Sequence, residues 1–163
     1  MSSIDIDIED DDLLSISDAK QYFFFKAGGD IYALEAENVA EMVEYQEITK
    51  VPFMQSFVKG VTNIRGEIIT VVDMLDRFEL GTTKICKKTS LVIINKIALI
   101  IDEVHEVTSI LEDDIKDSLD FGFKIKQKFI KNMARYNGEY IAILNCKEVL
   151  NIDDLSQVEE SSW

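Results

Sequence analysis

Reactive side chains are scarce in this 163-residue chain, which has one histidine, two cysteines and one proline. The thiols, Cys86 and Cys146, have no CxxC spacing and no histidine nearby, so they do not outline a zinc or redox centre. Both read as reduced and inert, although Lys84, Lys87 and Lys88 flank Cys86. His105 sits among carboxylates in Glu103-Val104-His105-Glu106-Val107 and reads as a surface or boundary residue. No nucleophile, base and orienting group can be assembled around it. The seven glycines form no phosphate cradle. The acidic runs 10–12 and 112–114 lack the glycine and ligand spacing of a calcium loop. The expectation is a protein that is not an enzyme, with no cofactor and no metal site.

Long apolar runs are also missing. The longest, Ile97 to Ile101, is far short of the roughly 20 residues that span a bilayer. The acidic N-terminus does not resemble a secretion signal, which makes the expected location cytoplasmic. Basic residues are few: net charge is -14. Residues 1–20 hold seven acids and one lysine, and residues 150–163 hold four acids and no base. The rest carries 20 acids and 16 bases, close to neutral. Nucleic acid and anionic membrane are excluded as partners, because each needs a basic face. Residues 1–19 read as an acidic, disordered tail, and 156–163 as a second tail that ends in Trp163.

What is present is strand pattern. Tyr22-Phe23-Phe24-Phe25 and Ile31-Tyr32-Ala33-Leu34 flank Gly28-Gly29 as a hairpin. Three more hairpins turn at Arg65-Gly66, Asn95-Lys96 and Asn137-Gly138. Helical pattern is limited to Glu35–Val43, where Ala36, Val39, Ala40 and Val43 fall on one face, and to single turns at Leu75–Phe78 and Lys147–Leu150. Phe53, Met54 and Phe57 beside Pro52 read as core, with a partner surface as the alternative. No repeat of fixed period appears. Many short strands point to small closed barrels or a sandwich, and the shortness of the apolar runs favours barrels.

The segment Gly60-Val61-Thr62-Asn63-Ile64-Arg65-Gly66, followed by Glu67 to Asp73, is a strand-turn-strand unit with an arginine at its turn. That arginine presents a planar, permanent charge to whatever lies opposite, either an internal carboxylate such as Asp73 or Glu67, or a partner. This segment resembles the signature of the CheW-like family. The likeness extends over Asn38 to Val43, Ile48 to Pro52, Ile97 to Val104 and the closing hairpin into Lys147–Leu150, and so over about Tyr22 to Leu155. Thr70 stands where the family commonly has proline.

The resemblance implies a mainly β fold: two small SH3-like five-stranded β-barrels packed together, with a few short helices, over residues 20–155. It implies a chemotaxis adaptor in a signalling array. The expected partners are the CheW-like regulatory domain of the chemotaxis histidine kinase and the cytoplasmic tip of chemoreceptors, whose helices would lie in a groove between the barrels. By position, the partner-binding residues implied are Arg65, with Asn63 and Gly66 shaping its turn, Gly60 near the groove, and Val39, Glu41 and Met42. A regulator that competes for or loosens the kinase–receptor complex is the alternative on the same fold.

Overall fold

The computed structural model describes residues 19–118 and 122–151. Residues 1–18 of the expected acidic N-terminal tail, and the whole of the expected second tail 156–163 with Trp163, lie outside them. All four two-residue turns form, and in each both residues take positive φ: Gly28 and Gly29 (63° and 87°), Arg65 and Gly66 (54° and 86°), Asn95 and Lys96 (48° and 65°), Asn137 and Gly138 (50° and 81°). This geometry matches the twist of the flanking strands. The hairpins are β1 (Lys20–Ala27) with β2 (Asp30–Glu35), β4 (Val58–Ile64) with β5 (Glu67–Asp73), β6 (Ser90–Ile94) with β7 (Ile97–Ile101), and β10 (Ile130–Tyr136) with β11 (Glu139–Leu144). Three more strands, β3 (Glu41–Glu44), β8 (Glu103–Ile110) and β9 (Ile115–Lys116), complete two sheets. Their orders are β8-β1-β2-β11-β10-β9 and β3-β6-β7-β5-β4.

The two sheets share one plan. In the middle of the chain, β3 pairs with β6, β6 with β7, β7 runs parallel to β5, and β5 pairs with β4. In the other sheet β8, β1, β2, β11 and β10 repeat those pairings in the same order, including the parallel pair β2–β11. Each sheet then closes by the same device, in which a strand bends and its continuation crosses to the far edge. After β3, Thr49 and Val61 exchange two backbone hydrogen bonds of 2.8 Å. After β8, the chain turns at Glu112–Asp114 and β9 pairs with β10. The hairpin that completes the second barrel comes from the N-terminal end of the chain, ahead of the whole first barrel. We call the unit of β3–β7 the middle barrel and the unit of β1, β2 and β8–β11 the outer barrel.

Each barrel also carries a one-turn helix after its parallel-paired hairpin strand: α1 (Met74–Arg77) in the middle barrel and α2 (Cys146–Val149) in the outer one. Asp73 caps α1 by accepting from Leu75 N (3.0 Å), and Asn145 caps α2 by accepting from Glu148 N (3.3 Å).

Strands at the junction bury both faces, which is why they read as unbroken apolar runs. Phe23 and Phe25 point into a core shared between the barrels, while Tyr22 and Phe24 fill the outer barrel. Leu99 and Ile101 join the shared core, while Ala98 and Ile100 fill the middle barrel. Each such Phe or Ile contributes about 1.5–3 kcal/mol by leaving water. Arg77, 6% exposed, fastens the junction. Its guanidinium lies between the Phe57 and Phe129 rings, 4.7 and 4.8 Å from their centres, and donates to the carbonyls of Val149 (3.0 Å) and Glu148 (2.8 Å) at the end of α2. Those last-turn carbonyls have few partners within the helix and carry its negative dipole end.

One element differs from the sequence reading. Glu35–Val43 is not a helix of two turns. A single 3-10 turn, Ala36–Asn38, is followed by extended backbone at Val39 and then β3. The β-branched Val39 and Val43 suit a strand, and pairing with β6 satisfies the backbone over Glu41–Glu44 better than an isolated short helix would. The aromatic group at Pro52 divides as well: Phe57 is buried and Met54 packs on the shared core, but Phe53 is 72% exposed, at φ 62°.

Candidate functional site

The β4–β5 turn decides what this end of the middle barrel presents. Arg65 occupies the first turn position with φ 54°, where a residue with a Cβ is strained, and Gly66 takes the second. The Asn63 side chain stabilises the turn by accepting from Gly66 N at 3.0 Å. The Arg65 side chain is 78% exposed and donates from Nη1 to Glu41 Oε2 at 2.5 Å. The partner is therefore Glu41, and neither internal carboxylate suggested by the sequence. Asp73 is occupied elsewhere: besides capping α1 it accepts from Thr83 N (2.9 Å) and Thr83 Oγ1 (2.6 Å).

The Arg65–Glu41 contact spans the two ends of the sheet order, since Glu41 starts β3 and Arg65 follows β4. Gln46 reinforces that closure by donating to Thr62 Oγ1 and to the Asn63 carbonyl, both at 2.8 Å. An exposed ion pair contributes only about 0.2–1 kcal/mol. Its role is to aim the guanidinium while leaving most of its five donors to solvent or to a partner.

Five of the seven expected residues gather here. Arg65, Glu41, Asn63 and Gly66 are linked by the hydrogen bonds above, and exposed Met42 lies beside Glu41 on β3. Val39 packs against the shared core and lies at the start of the same edge, not on a helix. Gly60 permits a close backbone approach, and the backbone concerned is that of Thr49. Its φ is 144°, and a Cβ there would stand 2.0 Å from the Thr49 carbonyl oxygen. The close approach it permits is that of the closing strand, within the barrel.

Two depressions adjoin this edge. One, of about 450 Å³, is lined by Ala40, Glu41, Ile64, Arg65, Lys96 and their neighbours. The other, of about 530 Å³, lies where the Asn95 turn meets α2 and includes Asn38, Ile94, Ile97, Cys146 and Leu150. Asn95 lines both. The space between the barrels themselves is packed by the shared core. Sequence reasoning found the Asn95-Lys96 turn but not its place beside Arg65, because that depends on how the sheet curls. It also overlooked exposed Ile68, paired across from Asn63 on β5.

Among the described residues no group of three or more His, Cys, Asp or Glu side chains is placed to hold a metal ion. Among the same residues no helix is long and apolar enough to cross a membrane. His105 stands at the surface, 3.8 Å from Glu106. Burial pushes the Cys146 thiol up, whereas the Lys88 backbone N–H and the Thr89 hydroxyl draw the exposed Cys86 thiol down.

The family model described as CheW-like domain matches residues 21–154. The chain is 19% identical to the chemotaxis protein CheW of Klebsiella aerogenes, over 86% of this chain and 87% of that one. It is 24% identical to the chemotaxis protein CheW of Bacillus subtilis, over 83% and 90%. Among solved structures, the scaffolding protein TtCheW of Thermoanaerobacter tengcongensis superposes with a TM-score of 0.76 at 29% identity, covering 83% of this chain and 95% of that one.

Proposed function

The chain belongs to the CheW-like domain family, and on that premise we propose that it is a chemotaxis adaptor, coupling chemoreceptors to the chemotaxis histidine kinase by contact alone. Its relatives of known role are named as chemotaxis and scaffolding proteins. It acts in the cytoplasm, at membrane-bound receptor arrays.

One observation carries the reading. The two barrels place equivalent turns at Arg65-Gly66 and Asn137-Gly138. Asparagine tolerates the left-handed region that the first position requires, and arginine does so poorly. Folding is better served by the outer barrel's choice. An arginine kept at such a cost, aimed by Glu41 and exposed, is placed for recognition. The kinase's own CheW-like regulatory domain meets this barrel end, with Arg65 as an anchor and Asn63 and Gly66 holding its turn. The receptor's helical tip lies along the outer groove by Val39, Glu41 and Met42, where apolar floor and polar rim suit an amphipathic helix.

The decisive experiment is co-purification with kinase and receptor fragments, comparing wild type, Arg65→Ala and Arg65→Asn. Arg65→Asn removes the charge while improving the turn, so lost binding cannot be blamed on unfolding. Loss of about 1–3 kcal/mol of complex stability is expected for both variants. Undiminished binding of both partners would remove Arg65 from the interface.

A further inference from the structure

The duplicated plan creates two related clefts, each where one barrel's hairpin turn meets the other barrel's helix. The cleft at the Asn95 turn and α2 belongs to the region already described. Its counterpart, where the Gly28 turn meets α1, has a volume of about 410 Å³ and is lined by Leu75, Thr82, Lys84, Cys86 and Lys88, with Asp102 and Glu103 at one side. Gly28 brings the turn close to the helix, since a Cβ there would lie 2.8 Å from Leu75 Cδ2.

The wall of this cleft is a loop pinned at both ends. Buried Thr83 is held by Asp73, and buried Thr89 accepts from Cys86 N at 2.8 Å. Between these pins, residues 84–88 are all exposed, and Ile85 is 50% exposed. Among the described residues Lys88 pairs with Glu103 at 3.4 Å, while Lys84 and Lys87 have no ion pair. Lys26 also reaches Glu103, and Asp102 accepts from Gly28 N at 2.8 Å. The lining of the cleft itself is balanced, Lys84 and Lys88 against Asp102 and Glu103, while the exposed loop 84–88 that forms its wall carries Lys84, Lys87 and Lys88 and no acid, on a chain whose net charge is -14.

A complementary segment exists in the same chain. Ile4-Asp5-Ile6-Asp7-Ile8-Glu9 alternates isoleucine with acid. Laid out extended, such a pattern offers apolar groups to one side and carboxylates to the other. We propose that this N-terminal segment docks along the 84–88 loop and the adjoining cleft of its own chain, isoleucines against Leu75 in the cleft and exposed Ile85 on the loop, carboxylates toward Lys84, Lys87 and Lys88. The reach suffices. The segment joins β1 at Lys20, and the cleft lies at the Gly28 end of that strand, roughly 26 Å away. Residues 9–19 can extend roughly 36–40 Å. A tether of that length gives an effective concentration of about the millimolar range, so even a weak contact is well populated. The segment then shields the cleft from other acidic partners. This contact goes beyond the adaptor reading and does not depend on it.

The test uses the full-length chain with Cys146→Ser, so that Cys86 is the one native thiol. In that background Ile6→Cys is oxidised at low protein concentration and low salt. The expected product is an intramolecular disulfide to Cys86, of monomer mass, forming about tenfold more slowly when Lys84→Glu and Lys87→Glu are added or salt is raised. A cross-linked dimer as the main product, no cross-link, or a rate indifferent to charge reversal and salt would overturn the proposal. A second readout uses Cys146→Ser without the introduced thiol. Asp5→Asn, Asp7→Asn and Glu9→Gln together are expected to speed alkylation of Cys86 by neutral iodoacetamide about threefold. An unchanged rate overturns the proposal equally.

Discussion

The middle barrel and the outer barrel share pairings, bulges and capped helices, yet solve the same local problems with different residues. In both, the strand that meets the closing segment carries a register shift, at Lys59 in β4 and at Lys131 in β10. Each bulge turns its lysine to a carboxylate: Lys59 to Asp76 at 2.5 Å, Lys131 to Glu35. The next residue is Gly60 in one barrel and Asn132 in the other. At the turn beyond, the middle barrel has Arg65 tied to Glu41, and the outer barrel has Asn137, preceded by Tyr136 hydrogen-bonded to Glu106 and stacked on Phe24. Burial and Glu106 push the Tyr136 hydroxyl up to about 12, so it remains a donor at any ordinary pH. The outer barrel spends that end of its sheet on packing. The middle barrel leaves it open, polar and strained, which is where a binding surface is to be sought.

The largest expected break in the comparison is at the closing strand. Gly60→Ala forces a Cβ into the Thr49 carbonyl and is expected to destabilise the fold by about 3–5 kcal/mol, whereas Asn132→Ala should cost about 1 kcal/mol or less. Urea unfolding of both variants checks this. Similar midpoints would show that the glycine is incidental.

The helix caps come next. Asp73 is buried and accepts three hydrogen bonds, so Asp73→Ala should cost about 2–4 kcal/mol, against about 1 kcal/mol for Asn145→Ala. Calorimetric melting of the pair measures the gap.

Exchanging the turns is subtler. Arg65→Asn should leave stability unchanged or raise it by about 0.5 kcal/mol, and Asn137→Arg should lower it by about 0.5–1 kcal/mol. Two changes of the same sign in thermal melts would mean that the turns are not equivalent.

The smallest effect is one of pH. Burial disfavours the Glu35 charge, but Lys131 and Lys20 outweigh it and hold the carboxyl below its usual value of 4.5. Glu35 therefore stabilises the fold fully above about pH 4.5, and that contribution fades as pH falls through the lowered value. Lys131→Met should remove about 1 kcal/mol at neutral pH and much less under acid, which urea midpoints across pH would show.

The hairpins and single-turn helices were legible because their signals are local: Gly28-Gly29 and Asn137-Gly138 demand a turn, and Leu75–Phe78 and Lys147–Leu150 each read as one helical turn. The β3 region misled because Ala36, Val39, Ala40 and Val43 satisfy a helical spacing that only pairing with β6 overrules. The candidate residues came from the resemblance of the Gly60–Asp73 segment, not from periodicity. That Glu41 meets Arg65, and that Gly60 serves Thr49, depends on the curl of a sheet, which no local pattern encodes. The duplication was hidden for a related reason. Asp73-Met74-Leu75-Asp76-Arg77 and Asn145-Cys146-Lys147-Glu148-Val149 occupy equivalent places and share only the chemistry of a cap.

The order of strands along the chain also bears on how the protein is made. During synthesis β1 and β2 emerge first, yet their partners β8 and β11 lie some 75 to 110 residues downstream. The middle barrel has every strand it needs once residue 101 has left the ribosome. The leading hairpin, with Phe23, Phe24 and Phe25 unmatched, must wait until β8 and β11 have been made. Slow, long-range pairing of this kind leaves an aromatic edge open to stray association. Newborn chains arrested before residue 144 should therefore bind trigger-type chaperones through β1, and release them once β11 is complete.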